Sequence, residues 1–239
     1  VTEPGGGAAL SAAVFASGGG SNLQSLLDHQ RPDGPWRICL VVADRPGIGA
    51  LERAERAGVP STVIRTRDRD PVDVAAETLS ALEGHAIDVV FLAGYLKLLP
   101  AAMVSAFRRR ILNIHPALLP AFGGKGMYGI HVHRAVLASG TRLSGPTVHL
   151  VDEEYDRGTI LAQWPVPVLG DDTPETLAGR VLQAEHRLYP LVADHVCSGI
   201  LEGREPEPLM LPGEAFTLVG EMSDSVLARG RATSPTPSH

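Results

Sequence analysis

The sequence predicts a doubly wound α/β domain: a mostly parallel central sheet, helices on both faces, and an added strand pair and long helix toward the C-terminal end. Three observations carry this expectation. Apolar runs alternate with amphipathic stretches five times between residues 12 and 113. The run at 88–92, Asp-Val-Val-Phe-Leu, is continuous rather than alternating, as in a parallel strand covered on both faces. The first run passes through Ser17-Gly18-Gly19-Gly20 directly into a helical pattern, the connection that a right-handed βα unit uses.

Residues 12–16 form the first strand. The helix after it starts at Ser21, taken as its N-cap with Gln24 completing a capping box, and carries Leu23, Leu26 and Leu27 on one face. A second strand spans 37–42 and a second helix 48–57, stopped by Gly58. Residues 62–64 give a brief third strand, and 71–83 a helix opened by Pro71. The fourth strand is 88–92, followed by a helix at 100–107 and a fifth strand at 110–113. Beyond it lie a helix at 132–139, a hairpin-like pair at 147–151 and 159–166, and a long helix at 174–197. Residues 1–11 and 212–239 are expected to be a flexible leader and a largely disordered tail around a domain at 12–211. They are rich in Gly, Pro and Ser and lack hydrophobic period.

Composition narrows the function. A net charge of −6, from 21 basic and 27 acidic residues, argues against a nucleic-acid partner. No run of 18 apolar residues is present, so no membrane partner is expected. Cys39 and Cys197 are too few for a disulfide framework, which points to a reducing, cytoplasmic setting. A homodimer is left open, since no exposed apolar stripe argues for one.

Ligands of doubly wound sheets bind beyond the carboxyl ends of the strands. After strand one, Gly20, Ser21 and Asn22 open a helix whose free N–H groups and positive dipole suit a phosphate. The dinucleotide fingerprint fits poorly, because Leu23 stands where its third glycine should be. At strand five, Asn113 and His115 lie two apart, so amide and imidazole share one face and can donate to one oxygen. His131-x-His133 together with His115 lacks a further ligand at zinc spacing, so no metal is expected. No Gly-x-Ser-x-Gly elbow supplies a hydrolase nucleophile. The acid run at Asp152–Asp156 matters only if one of its carboxylates reaches His115.

Four segments in order resemble the phosphoribosylglycinamide formyltransferases of purine biosynthesis. They are Ser17–Gln24, Asn113–Pro120, Asp156-Arg157-Gly158-Thr159-Ile160-Leu161-Ala162-Gln163, and Val181–Pro190. The resemblance covers about residues 12–211 and implies the formyltransferase fold. It also implies transfer of the formyl group of 10-formyltetrahydrofolate, a co-substrate, to the amine of glycinamide ribonucleotide. Asn113, His115 and Asp156 match the family's catalytic trio. Gly20, Ser21 and Asn22 match its phosphate loop, and Glu185 its ribose-contacting acid. Leu96, Lys97, Leu98 and Leu99 match the folate wall, Asp152 the folate loop, and Arg69 an arginine beside the folate tail. On the resemblance, ionised Asp156 should favour a protonated His115. Three departures stand out: Lys97 where arginine is common, a longer, Gly-rich segment at 122–130, and a tail after Leu211 that exceeds the family core. Methionyl-tRNA formyltransferase would require a basic C-terminal domain, whereas residues 200–239 carry six acids and three arginines. Formyltetrahydrofolate hydrolase would carry a domain before strand one. A nucleotide-binding module without catalysis would bind phosphate ligands but no folate.

Overall fold

A computed structural model describes residues 9–209; the expectations for residues 1–8 and 210–239 lie outside them. Strand β1 (Leu10–Ala16) starts two residues earlier than the hydrophobic run suggests. Leu10 pairs with Trp36, and the Ser11 N–H donates to Asp88 at 2.9 Å, so the leader's last two residues belong to the sheet.

The alternation holds through β2 (Trp36–Ala43), β3 (Ser61–Val63), β4 (Val89–Leu92) and β5 (Ile111–His115). Between them lie α1 (Ser21–His29), α2 (Gly49–Arg56), α3 (Pro71–Gly84) and α4 (Ala101–Ala106). Helix α5 (Ile130–Ser139) follows, then β6 (Leu143–Ser144), β7 (Thr147–Leu150), β8 (Ile160–Gln163), β9 (Val166–Pro167) and α6 (Pro174–Leu201). The main sheet runs β3-β2-β1-β4-β5-β7-β8. Its first five strands are parallel, and β7 and β8 extend it antiparallel.

Both faces are covered, which explains the unbroken apolar runs. One face packs Leu23 and Leu26 of α1, Ala50 and Ala54 of α2, and Leu188, Val192 and Val196 of α6. The other packs Val74 and Leu82 of α3 and Met103 and Val104 of α4. Tyr189 pins α6 across the sheet, its hydroxyl donating to the carbonyls of Leu112 (2.9 Å) and Leu92 (3.1 Å). Burial of this face carries α6 straight through Pro190, although proline removes one helix hydrogen bond.

Two element expectations change. The stretch 159–166 is not one strand: it ends at Gln163, and Val166 pairs with Ser144 in a separate two-stranded sheet. Ser21 is not the N-cap of α1. Gly20 takes that place at φ 73, no side chain caps the helix, and the Gln24 amide donates to Asp28 instead.

Candidate active site

The strand order reverses between β1 and β4, and the segments after β1, β4 and β5 lie on one side of the sheet. The turn after β1 is tightly constrained. A Cβ on Gly20 would lie 2.7 Å from the Ala50 Cα, and one on Gly49 would lie 2.9 Å from the Gly19 carbonyl. Helix α2 therefore packs directly on the turn. Arginines tie down its carbonyls: Arg45 donates to Ser17 at 2.5 Å and Arg53 Nε to Gly19 at 2.8 Å. Arg53 also donates to the Gln24 side chain at 2.8 Å. With no side-chain cap, the first N–H groups of α1 stay free for an anion. Asn22 is buried and donates to Glu185 at 2.6 Å. Burial raises the Glu185 pKa, and the Asn22 bond counters it.

The second cluster forms where β5 meets β7. Asn113 lies opposite His149 in the antiparallel register, and its Nδ2 is 3.0 Å from His149 Nε2. His115 is buried at the end of β5. Its Nε2 lies 2.9 Å from the Phe122 carbonyl, and its Nδ1 lies 3.6 Å from Asp156 Oδ2. Asp156 Oδ1 lies 3.6 Å from His149 Nε2, and Asp156 Oδ2 accepts the Gly124 N–H at 2.8 Å. The acid that reaches His115 is thus the last of the acid run.

Asp156 gets there through a tight crossing. It sits at φ 54, and a Cβ on Gly158 would fall 1.8 Å from the Leu150 carbonyl. Gly158→Ala should therefore push the loop off β7, lowering Tm by roughly 10 °C and weakening the His115–Asp156 pairing. Calorimetry checks this, and a wild-type Tm would show that the loop has slack.

Burial lowers the His115 pKa. Asp156 and the Phe122 carbonyl pull it back up, and His149 lowers it further. This reverses the net direction expected from Asp156 alone: desolvation of the imidazolium outweighs the carboxylate, so the resting ring is neutral near pH 7. Burial raises the Asp156 pKa too, but the His149 contact, the Gly124 N–H and the charges of His115 and His149 prevail, and Asp156 ends below its ordinary value.

These groups border one cavity of about 720 Å³. Asn113, His115, Asp156, Asn22, Glu185, Leu96, Lys97, Leu98, Leu99 and Asp152 all line it. The Leu96 N–H donates to Ser17 Oγ at 3.0 Å, joining the segment after β4 to that after β1. Lys97 Nζ lies 3.8 Å from the buried Asp44. Gly20 sets the turn, and Ser21 borders a smaller polar cavity shared with Arg53 and His186. Arg69 does not line the cavity: on the surface it pairs with Glu77 of α3 and donates to the Arg65 carbonyl. Sequence reasoning missed His149; its signal was its place in a strand predicted as part of the added pair. Among the described residues, no group of three or more His, Cys, Asp or Glu is placed to hold a metal ion.

The polar groups of the cavity lining, Asn113, His115, Asp156 and Glu185 among them, are suited to moving protons and stabilising a negative oxygen. The formyl transferase family model matches residues 10–193, and the chain belongs to that family. Within it, the chain is similar to the chloroplastic phosphoribosylglycinamide formyltransferase of Arabidopsis thaliana, with 50% identity over 198 residues, 81% of this chain and 67% of that protein. It is 46% identical to the Vigna unguiculata protein of the same name, covering 77% of this chain and 60% of that one. Among solved structures, phosphoribosylglycinamide formyltransferase from Brucella melitensis superposes with a TM-score of 0.73 at 43% identity, covering 80% of this chain and 97% of that one. Glycinamide ribonucleotide transformylase 1 from Geobacillus kaustophilus gives 0.74 at 40%, covering 80% and 100%.

Proposed function

We propose that this chain transfers the formyl group of 10-formyltetrahydrofolate to the primary amine of glycinamide ribonucleotide, a step of purine biosynthesis. The observation that carries this reading is the Asn113–His115–Asp156 cluster in a cavity also lined by Asn22 of α1 and Glu185. The uncapped start of α1 holds the phosphate of the ribonucleotide, Glu185 its ribose, and the amine points toward His115. Leu96, Leu98 and Leu99, with Lys97 and Asp152, hold the folate. Arg69 lies outside the cavity, paired with Glu77.

A neutral amine attacks the formyl carbon, and the carbonyl oxygen becomes an oxyanion. The Asn113 amide donates to that oxygen, a contribution often worth about 3 kcal/mol. The attacking nitrogen must lose a proton and the departing N10 must gain one. His115, neutral at rest because it is buried, takes the first proton. Ionised Asp156 stabilises the resulting imidazolium, which then returns a proton to N10 as the C–N bond breaks. The Phe122 carbonyl accepts from His115 Nε2 here, so in the neutral ring that nitrogen holds the proton. The contact must yield and the proton move to Nδ1, which faces Asp156, before Nε2 can take one from the amine.

The deciding experiment follows formyl transfer from 10-formyltetrahydrofolate to glycinamide ribonucleotide, with formate release in the absence of the amine as comparison. Formate release without transfer would make the chain a hydrolase. A further expectation concerns Arg53, whose two hydrogen bonds hold the phosphate turn. Arg53→Met should raise KM for the ribonucleotide about tenfold and leave KM for the folate unchanged. Equal rises in both would mean that Arg53 supports the fold and not the turn.

No helix among the described residues is long and apolar enough to cross a membrane. The proposed setting is the cytoplasm, supported by the free thiols Cys39 and Cys197; microscopy of a tagged chain would test it against an organelle.

A further inference from the structure

We infer that His149 is a positioning residue for the proposed transfer, fixing the Asn113 amide so that one N–H faces the reacting oxygen. The inference rests on that function but starts from three contacts. His149 is 2% exposed in the middle of β7. Its Nδ1 lies 2.8 Å from the Leu150 carbonyl, which can only accept, so Nδ1 bears the proton. In the neutral ring Nε2 is then a bare acceptor, and it lies 3.0 Å from Asn113 Nδ2. An amide can turn its oxygen or its nitrogen toward a neighbour, and the two choices differ only in hydrogen bonding. A bare Nε2 selects the nitrogen. One Asn113 N–H is spent on His149, and the second remains to donate into the cavity.

The backbone enforces this pairing. Asn113 and His149 are direct partners in the β5–β7 register, so the two side chains stand side by side. A proton on Nε2 would reverse the arrangement: two donors would face each other and the amide would turn its oxygen to the ring. The charged ring would also compete with His115 for Asp156, whose Oδ1 is 3.6 Å from His149 Nε2. An Nε2 without a proton therefore keeps Asn113 a donor and leaves Asp156 to His115.

His149→Leu removes the acceptor, whereas His149→Gln offers an amide oxygen that can accept the same proton and never carries charge. The leucine variant should lose kcat roughly ten- to hundredfold, the scale of an orienting partner, with KM for both substrates and Tm near wild type. The glutamine variant should recover most of kcat. Nitrogen-15 NMR of the unliganded wild type should show His149 protonated at Nδ1 and bare at Nε2. A leucine variant with wild-type kcat, a folded glutamine variant with a strongly reduced kcat, or a proton on Nε2 at assay pH would each overturn the inference. If leucine prevents folding, the glutamine variant and the NMR result still decide. Failure of the wild type to transfer formyl groups would sink the function alone, because the tautomer is measured without turnover.

Discussion

Asp156→Asn should lower kcat by roughly 10²-fold or more, the range of general acid–base groups, while ribonucleotide affinity stays intact. The asparagine oxygen can still accept the Gly124 N–H that holds the loop at 2.8 Å, so the variant should fold. What disappears is the charge 3.6 Å from His115 Nδ1. Burial already lowers the His115 pKa from its ordinary 6.5; without the carboxylate the imidazolium becomes harder still to form, and the proton relay stalls. Stability should respond in the same sense. A histidine whose pKa is lower folded than unfolded lets the unfolded chain take the proton first, so stability falls as pH drops below about 6.5. The mutation widens that gap and steepens the loss. Wild-type Asp156, lowered by folding, adds stability above its unfolded value that is lost as pH falls through the folded one; the variant lacks this component. The measurements are kcat against pH and an NMR titration of His115. Near-normal kcat, or an unchanged His115 titration, would reduce Asp156 to one more solvated acid.

The parts of the site legible in the sequence are those that local pattern dictates. Asn113 and His115 share a face because strand side chains alternate, and β5 runs on to His115. The turn proposed to hold phosphate is visible as glycines before an amphipathic helix, although what constrains it is not. Gly20, not Ser21, is the N-cap of α1, because the left-handed turn and the close approach of Ala50 admit no side chain. What stayed hidden depends on distant parts of the chain. His149 joins the cluster only through pairing of strands 36 residues apart. The sign of the His115 shift needed its burial as well as its charged neighbour. Arg69 matched a folate-side arginine by resemblance, but Glu77 on the same surface claims it. Local physics thus located the site, and long-range packing decided the electrostatics within it.

Ser21→Asp separates phosphate binding from folding more sharply than any truncation could. Ser21 is the first residue of α1 and partly exposed, and no side chain caps the helix above it. A carboxylate in the first turn opposes the positive end of the helix dipole and stabilises the helix by a few tenths of a kcal/mol. Tm should therefore hold or rise. The same carboxylate would meet the ribonucleotide phosphate at close range. At an effective dielectric near 20, two unit charges about 4 Å apart repel by about 4 kcal/mol. Counterions and side-chain rotation relieve part of that, leaving a rise in ribonucleotide KM of about 10²-fold. KM for 10-formyltetrahydrofolate should barely move, because the proposed folate wall at Leu96–Leu99 follows β4 and not β1. Ser21→Asn, the same size without charge, should cost less than a tenth of the effect. Steady-state kinetics on both substrates, with calorimetry beside them, distinguish the outcomes. A matched loss for both substrates would mean a damaged turn, and an unchanged ribonucleotide KM would place the phosphate away from α1.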